Sequence, residues 1–508
     1  MKRRTRATTR SKRRRIRKLV GIAITSVMAI GLAAVAGFYV GWTRFASALP
    51  ELRGWHLDEP ASEFTQDDEQ DGYTLDDYLA QEAQVFDELD QLIAQDWSPT
   101  IDGRYSRFLI DSPSNPDLVS NRNWNRSLLL TPEQPIGAAV LLHGLSDSPY
   151  SLRDVGMRLY EQGWSVLWLR VPGHGTCPAA LAEVDWQDWT AAVRVAVKGM
   201  RTKASADSPL IIVGYSNGGA LAVDYAATAL DNPDLPVPDR LILMSPMIGI
   251  SSLARLTEFH SIVGRISGLE KVGWQSVNAE VDPFKYSSWP MNASVQAFHM
   301  TKRLERKLRR LSDAGQMESF PRTLVFQSVI DATVVAPELV KRFLSRCVGP
   351  GNELIVFDSN QDAEIANLVR SKFRIELATM LEDAGRHYGL TVVTNESPDT
   401  HSVVAKRYTN EGVVTEPLEL EWPRDVFSLS HLAIPIPPDD PILGDRPATR
   451  SRLPLGSLSI RGESGVLMIS ESLMFRLRHN PFYDFLAQEL FRWLSGVNET
   501  QDAPPTPT

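Results

Sequence analysis

Residues 209–220, Pro-Leu-Ile-Ile-Val-Gly-Tyr-Ser-Asn-Gly-Gly-Ala, restrict this chain more than any other stretch. An apolar run of strand length ends at Gly214-Tyr215-Ser216-Asn217-Gly218, and small and apolar residues follow at helical spacing (Ala220, Leu221, Val223, Ala226). This is the pattern of a nucleophile elbow, a serine on a sharp turn between a buried strand and a helix. The spacing has a steric cause. The serine takes a strained conformation and the helix passes close to the strand it has left, so side chains at Gly214 and Gly218 would collide. An ordinary strand–turn–helix, with Ser216 serving only as a helix cap, is the plainer alternative.

The stretch upstream favours the elbow. Residues 136–142 are apolar enough for a strand buried on both faces, and they run into His143-Gly144-Leu145-Ser146-Asp147-Ser148. A second apolar run, 164–170, leads into Val171-Pro172-Gly173-His174-Gly175-Thr176, and Asp185-Trp186-Gln187-Asp188-Trp189 follows. These four motifs, in this order, resemble the serine α/β-hydrolases related to monoacylglycerol lipases, lysophospholipases and the serine aminopeptidase group. The resemblance covers roughly residues 120–350 and resumes near 425. It implies that the backbone N–H groups of Leu145 and Asn217 hold a developing oxyanion. Ser146 departs from the pattern, standing where lipase relatives often carry a second glycine.

The N-terminus carries a different signal. Residues 1–18 hold eleven Lys and Arg and no acid, and 19–43 carry no charge, against the ~20 apolar residues that cross a bilayer. A nucleic-acid-binding arm is the rival reading of the basic run, but such an arm rarely abuts so long an uncharged stretch. The positive-inside rule puts the tail in the cytoplasm and everything beyond Arg44 across the membrane, on the periplasmic or extracellular side. Ala46-Ser47-Ala48 resembles a signal-peptidase site, so cleavage is the alternative to a retained anchor. The uncharged run, however, exceeds the ~7–15 residues of a secretory signal core.

Setting the eleven basic residues of the tail aside, the chain's net charge of −9 becomes −20 for the rest. A body that acidic repels nucleic acid and anionic membrane surfaces, which removes nucleic-acid binding from the candidate functions. Two cysteines, Cys177 and Cys347, do not make a disulfide scaffold, although they allow one bridge. No Cys/His cluster has metal-ligand spacing and no phosphate-loop or dinucleotide fingerprint occurs, so neither metal nor organic cofactor is expected.

Periodicity divides the chain into segments. Residues 44–73 read as a solvated acidic spacer. Residues 74–246 form the first part of the catalytic core. It opens with an amphipathic helix over 74–94, capped at Thr74, and continues with antiparallel strands at 105–110 and 124–130. Strands alternating with helices then predict an α/β-hydrolase fold, a mostly parallel sheet covered by helices on both faces. Residues 247–320 are a helical cap insertion, whose apolar and aromatic residues suit a hydrophobic or acyl substrate. The basic run 302–310 within it reads as a solvated helix face. Core segments follow at 321–358 and 423–497, separated by an insertion at 359–422 with a helix near 363–381 and short strands at 390–394, 402–407 and 413–420. Residues 498–508 form a Pro/Thr tail.

Residues 322–331 read as a strand ending on Asp331, and Asp331-Ala332-Thr333-Val334 resembles the hydrolases' Asp-x-x-Val acid motif. Asp358, closing the run 353–357, is the second candidate. The histidine must come later, because the order in this fold is Ser, acid, His. His387, His401, His431 and His479 qualify by position. His431 follows the strand-like run 425–430 and opens a Pro-rich loop, which favours it. The implied enzyme is a membrane-anchored serine hydrolase cleaving acyl esters through Ser216, His431 and Asp331. Two alternatives stand beside it. One is an aminopeptidase-like amidase, for which Glu270, Glu280 and Asp282 are the acids available to hold an amine. The other is an inactive, membrane-tethered binding module on the same scaffold.

Overall fold

Six runs of apolar, often β-branched residues form strands that are buried along nearly their whole length: β2 (Gly137–Leu142), β3 (Trp164–Leu169), β4 (Leu210–Tyr215), β5 (Arg240–Met244), β8 (Arg322–Ser328) and β9 (Glu353–Phe357). Adjacent members of this set pair in parallel, with Val140 opposite both Leu167 and Ile212. The computed structural model describes residues 44–97, 104–248, 268–330, 336–362, 385–445 (apart from 410, 411 and 425) and 476–496, with isolated positions elsewhere such as Val263 and Ile266. Most of 19–43 lies outside the described residues, and no described helix is long and apolar enough to cross a membrane. Residues 249–262 of the cap and most of the helix expected near 363–381 also lie outside them.

Ten strands make one sheet in the order β1-β3-β2-β4-β5-β8-β9-β10-β11-β12. Its first edge is β1 (Leu128–Leu130), antiparallel to β3. Strand alternation sends successive side chains to opposite faces. Ala138, Val140 and Leu142 accordingly enter one core and Ala139 and Leu141 the other. On the first face lie α1 (Leu75–Gln91), α4 (Trp186–Arg201) and α5 (Asn217–Ala229); on the second lie α2 (Arg153–Glu161) and α8 (Tyr483–Ser495). The short helix α3 (Pro178–Glu183) follows the loop after β3.

The stretch 359–422 enlarges this sheet. β10 (Gly389–Asn395) pairs in parallel with β9, and β11 (Ser402–Thr409) and β12 (Gly412–Glu421) continue it as antiparallel strands. A segment that reads as an insertion of short strands thus supplies the sheet's far edge. The β-branched residues at 392 and 393 of β10 and 403 and 404 of β11 are buried, whereas β12 is exposed along nearly its whole length.

Three expectations are corrected. Residues 51–73 are a packed strap instead of a solvated spacer. Trp55 and Phe64 are buried, and Glu63 pairs with buried Arg170 at 2.8 Å. A few aromatic anchors and one buried ion pair outweigh the acidic, Pro- and Gln-containing composition around them. Residues 105–110 form turns, with Arg107 N donating to Glu280 O (2.8 Å) and Arg107 Nη2 to Gly175 O (3.2 Å). The basic run on α6 (Met291–Asp313) is only partly solvated. Arg303 and Lys307 both reach the buried Asp224 of α5, at 3.1 and 2.9 Å, and Leu304, Leu308 and Leu311 enter the core. Before α6, the cap's described part is the two-stranded sheet of β6 (Trp274–Ser276) and β7 (Trp289–Pro290). The helix α7 (Ala336–Arg342) follows β8.

Candidate active site

The sharp turns gather at the C-terminal ends of the parallel strands. Ser216, directly after β4, has φ 52° and ψ −115°, and Ser146 and Ser245, just past β2 and β5, also have positive φ. Such a conformation in a non-glycine residue costs about 1–3 kcal/mol, and the surroundings must hold it. They do: Ser216 N donates to Met244 O (3.0 Å), and Ser216 O accepts from Gly219 N (3.0 Å) and Met247 N (2.8 Å). The glycines have the predicted steric cause. A Cβ at Gly214 would lie 2.5 Å from Gly218 O, and one at Gly218 would lie 1.9 Å from Leu142 O. The second contact is with the end of β2, so Gly218 also lets the elbow approach the neighbouring strand.

The loop after β2 lies against the elbow. A Cβ on Gly144 would sit 3.3 Å from Ser216 Cβ and 2.9 Å from the Tyr215 ring. Leu145 is the next residue, and Asn217 is the first residue of α5, a position whose N–H has no acceptor one turn back in the helix. His143 holds the loop from below. Its Nε2 accepts from Val171 N (3.0 Å), which leaves the ring proton on Nδ1 to be donated to Gly144 O (2.9 Å). Burial, with His174 beside it, keeps the imidazole's pKa well below the ordinary value and the ring neutral.

That linkage runs on to the strap. Arg170, which precedes Val171, is fully buried and donates to Glu63 and Glu82, and its own N–H donates to Ser127 Oγ. Glu82 in turn accepts from Ser127 N and Oγ (2.6 Å each). The acidic pair on the N-terminal segment therefore fixes the start of the loop that positions His143.

From the other side the cap reaches the same loop. Tyr286 N donates to Ser146 O (2.8 Å), and Lys285 Nζ lies 3.4 Å from Leu145 O and 3.6 Å from Asp147 Oδ2. A narrow cleft opens here, lined among others by Asp147, Tyr150, Asp282, Phe284, Lys285, Leu432 and Arg478. The Tyr150 and Phe284 rings stack at 4.2 Å, and Arg478 pairs with Asp282 at 2.6 Å. These charged pairs escaped the sequence reading. They join residues distant in the chain, and only Asp147 carried a local signal, its closeness to the His-Gly turn.

His431 lies beside this cleft, next to Leu432. Of the strand expected at 425–430, the described residues 426–430 are irregular, and hydrogen bonds anchor them instead: Ser328 Oγ to Leu429 O (2.8 Å), Asn360 N to Phe427 O (2.9 Å) and Ser430 Oγ to Leu477 O (2.7 Å). The segment is thereby tied to the ends of β8 and β9, on the strand edge that carries Ser216. Burial first, and then the cations Arg476 and Lys285, lower the His431 pKa to about 3, which leaves a neutral ring able to accept a proton. Asp331, three residues past β8, lies outside the described residues.

The other candidates are engaged elsewhere. Both oxygens of Asp358 are occupied, by Ser359 N at 2.7 Å and by Thr394 Oγ1 and Gln361 Nε2 at 3.0 Å each. His387 is exposed before β10, and His401 Nε2 lies 3.3 Å from Asp362. His479 is half-buried among Asp445, Asp440 and the Leu443 backbone. Of the acids considered for an amine site, Glu280 accepts from Ser287 N and Ser288 N, and Asp282 from Phe284 N and Arg478; Glu270, half-buried, accepts from Gly268 N. Cys177 and Cys347 are both buried and free.

Comparison with known proteins agrees with this geometry. A family model described as "Serine aminopeptidase, S33" matches residues 133–357. The chain is 22% identical over 253 residues to the thermostable monoacylglycerol lipase of Bacillus sp. (strain H-257), a span covering 48% of this chain and 84% of that protein. Among solved structures, it is similar to metagenome-derived lipolytic enzymes of the LipS and LipT work (20% identity, TM-score 0.37, 51% of this chain and 96% of the other). It is also similar to the Paleococcus ferrophilus monoacylglycerol lipase (18% identity, TM-score 0.34, 50% of this chain and 98% of the other). With the elbow, the parallel sheet and the matched core, the chain belongs to the α/β-hydrolase superfamily.

Proposed function

We propose that this protein is a membrane-anchored serine hydrolase that cleaves carboxylic esters of acyl substrates, such as acylglycerols or lysophospholipids. Its catalytic body lies on the extracytoplasmic side of a span formed by residues 19–43. Ser216 Oγ gives its proton to His431 and attacks the ester carbonyl, while the N–H groups of Leu145 and Asn217 hold the oxyanion. The tetrahedral intermediate collapses as His431 returns the proton to the departing alcohol, leaving an acyl-enzyme. Water, deprotonated by His431, then attacks the acyl-enzyme and frees the acid and the serine. Asp331 orients the imidazole and stabilises its protonated form.

The observation that carries this reading is the backbone of Ser216, held at φ 52° where a Cβ on Gly144 would lie 3.3 Å from its own Cβ. A serine serving only as a helix cap needs neither the strain nor the neighbouring loop. The relatives' descriptions as lipases support an ester substrate. The amidase alternative has the description of the matching family model behind it, but Glu280 and Asp282, two of the acids it would need for an amine, are already taken by partners in the same chain.

Turnover of short- and medium-chain acyl esters by the purified protein tests it. Ser216→Ala is expected to lower kcat by about 10⁴-fold or more with the fold intact by circular dichroism. Ester cleavage retained in that variant contradicts the proposal.

A further inference from the structure

The corner where the chain leaves the uncharged stretch is in contact with the cap. Residues 44–48 are helical, and Ala46 is buried in a small apolar cluster with Val263 and Val272, against which Leu269 packs. Lys271 Nζ closes the corner, 2.7 Å from Glu51 Oε1 and 3.4 Å from Leu49 O. Arithmetic then limits where the cap can be. Ala46 is three residues past the end of the uncharged run at Thr43, a rise of about 4.5 Å in a helix and at most about 10 Å fully extended. Side chains touching Ala46 are held within that reach of the end of the span. Two apolar side chains at this corner stay in solvent, Phe45 (43% exposed) and Ile266 (54% exposed).

The same segment leads to the reaction centre. After Val272 comes β6, then Glu280 and Asp282, then Lys285 and Tyr286 on the oxyanion loop. Alongside runs the strap: His56 Nε2 lies 3.0 Å from Ser288 Oγ, and its ring meets Trp274 edge-on at 5.0 Å. One stretch of chain, braced along its length, connects the membrane exit to the catalytic cleft.

We propose that this corner of the cap, with Ile266 at its tip, is seated in the interfacial layer of the bilayer, and that the enzyme draws its ester from that layer. The proposal rests on the membrane-anchored hydrolase reading. The occupant is lipid because the uncharged 19–43 stretch ends one helical turn away, and an exposed isoleucine and phenylalanine at that depth gain from burial in the headgroup–acyl boundary.

The test uses the full-length protein in phosphatidylcholine vesicles, with a polarity-sensitive fluorophore on Ile266→Cys. Val237→Cys is the control, exposed on the loop before β5, at the N-terminal ends of the parallel strands. Cys177 and Cys347 are buried and do not compete for label. The expected result is quenching of the 266 probe, and not the 237 probe, by a phospholipid spin-labelled near its headgroup. Ile266→Glu is expected to lower turnover of a long-chain monoester dissolved in the vesicles about tenfold, with turnover of a water-soluble short-chain ester unchanged. A protein that does not float with the vesicles removes the anchor and this proposal together. A protein that floats with the 266 probe as unquenched as the control keeps the anchor and overturns the proposal. A probe that is blue-shifted yet insensitive to the spin label assigns the face to a second copy of the chain, which also overturns it.

Discussion

At the scale of single residues, the site depends on side chains that hold backbone in place. His143 accepts from Val171 N and donates to Gly144 O, so one neutral ring joins the loops after β2 and β3 behind the oxyanion position. His143→Ala should therefore lower kcat about a hundredfold, the cost of one misplaced oxyanion donor, with little change in KM. His143→Gln, whose amide can both accept and donate, should recover much of the loss. Equal kcat in the alanine variant and wild type would contradict the role. Lys285 sets the second residue-scale test. Together with burial and Arg476 it lowers the His431 pKa. A nearby positive charge disfavours imidazolium, so Lys285→Met raises that pKa. The acid limb of kcat/KM should move to higher pH. A limb that stays in place, or moves to lower pH, would separate Lys285 from His431. The elbow itself was legible from sequence, because collision at Gly214 and Gly218 is a local, short-range cause. The Lys285–Asp147 and Arg478–Asp282 pairs were not, since nothing local links such distant positions.

At the scale of elements, the N-terminal strap behaves as part of the core. Tyr78 Oη donates to Arg170 O at 2.6 Å, Glu63 and Glu82 take the Arg170 guanidinium, and Phe64, Leu75 and Tyr78 join the core on the first face of the sheet. Removing Glu82 leaves Glu63 paired with Arg170 but strips Arg170 Nε and Ser127 N of their buried acceptor, at about 1–3 kcal/mol for each group left unsatisfied. Glu82→Ala should lower the free energy of unfolding in urea by at least that amount, and a value within error of wild type would show that the cluster is dispensable. Composition misled for residues 51–73 because acidic, Gln- and Pro-containing sequence usually stays in solvent, and only the spacing of Trp55 and Phe64 hinted otherwise. The α1 helix was legible through its capping box, in which Thr74 accepts from Asp77 N and Asp77 from Thr74 N. The strand expected at 425–430 failed for a different reason. Its alternating Val, Phe and Leu carry strand-like periodicity, but the ends of β8 and β9 supply side-chain and backbone partners that hold it as an irregular loop.

For the whole molecule, topology accounts for the long stretch of sequence between β9 and His431. After β9 the chain adds β10, β11 and β12 to the far edge of the sheet and then returns, so residue 431 comes back to the strand ends it left. The parallel order of the central strands was legible from strand–helix alternation. That the later strands would extend the same sheet was not, because short β-rich runs fit an edge, a hairpin or a separate module equally well. Ser216, His431 and Asp331 are proposed to act as one catalytic unit. The most direct measurement is mass-spectrometric mapping of a fluorophosphonate adduct, with its rate of formation, in wild type, His431→Ala and Asp331→Asn. The expected result is an adduct on Ser216 in wild type, with labelling slowed about 10⁴-fold in each variant. An adduct on another residue, or labelling of Ser216 at the wild-type rate without His431, would contradict it.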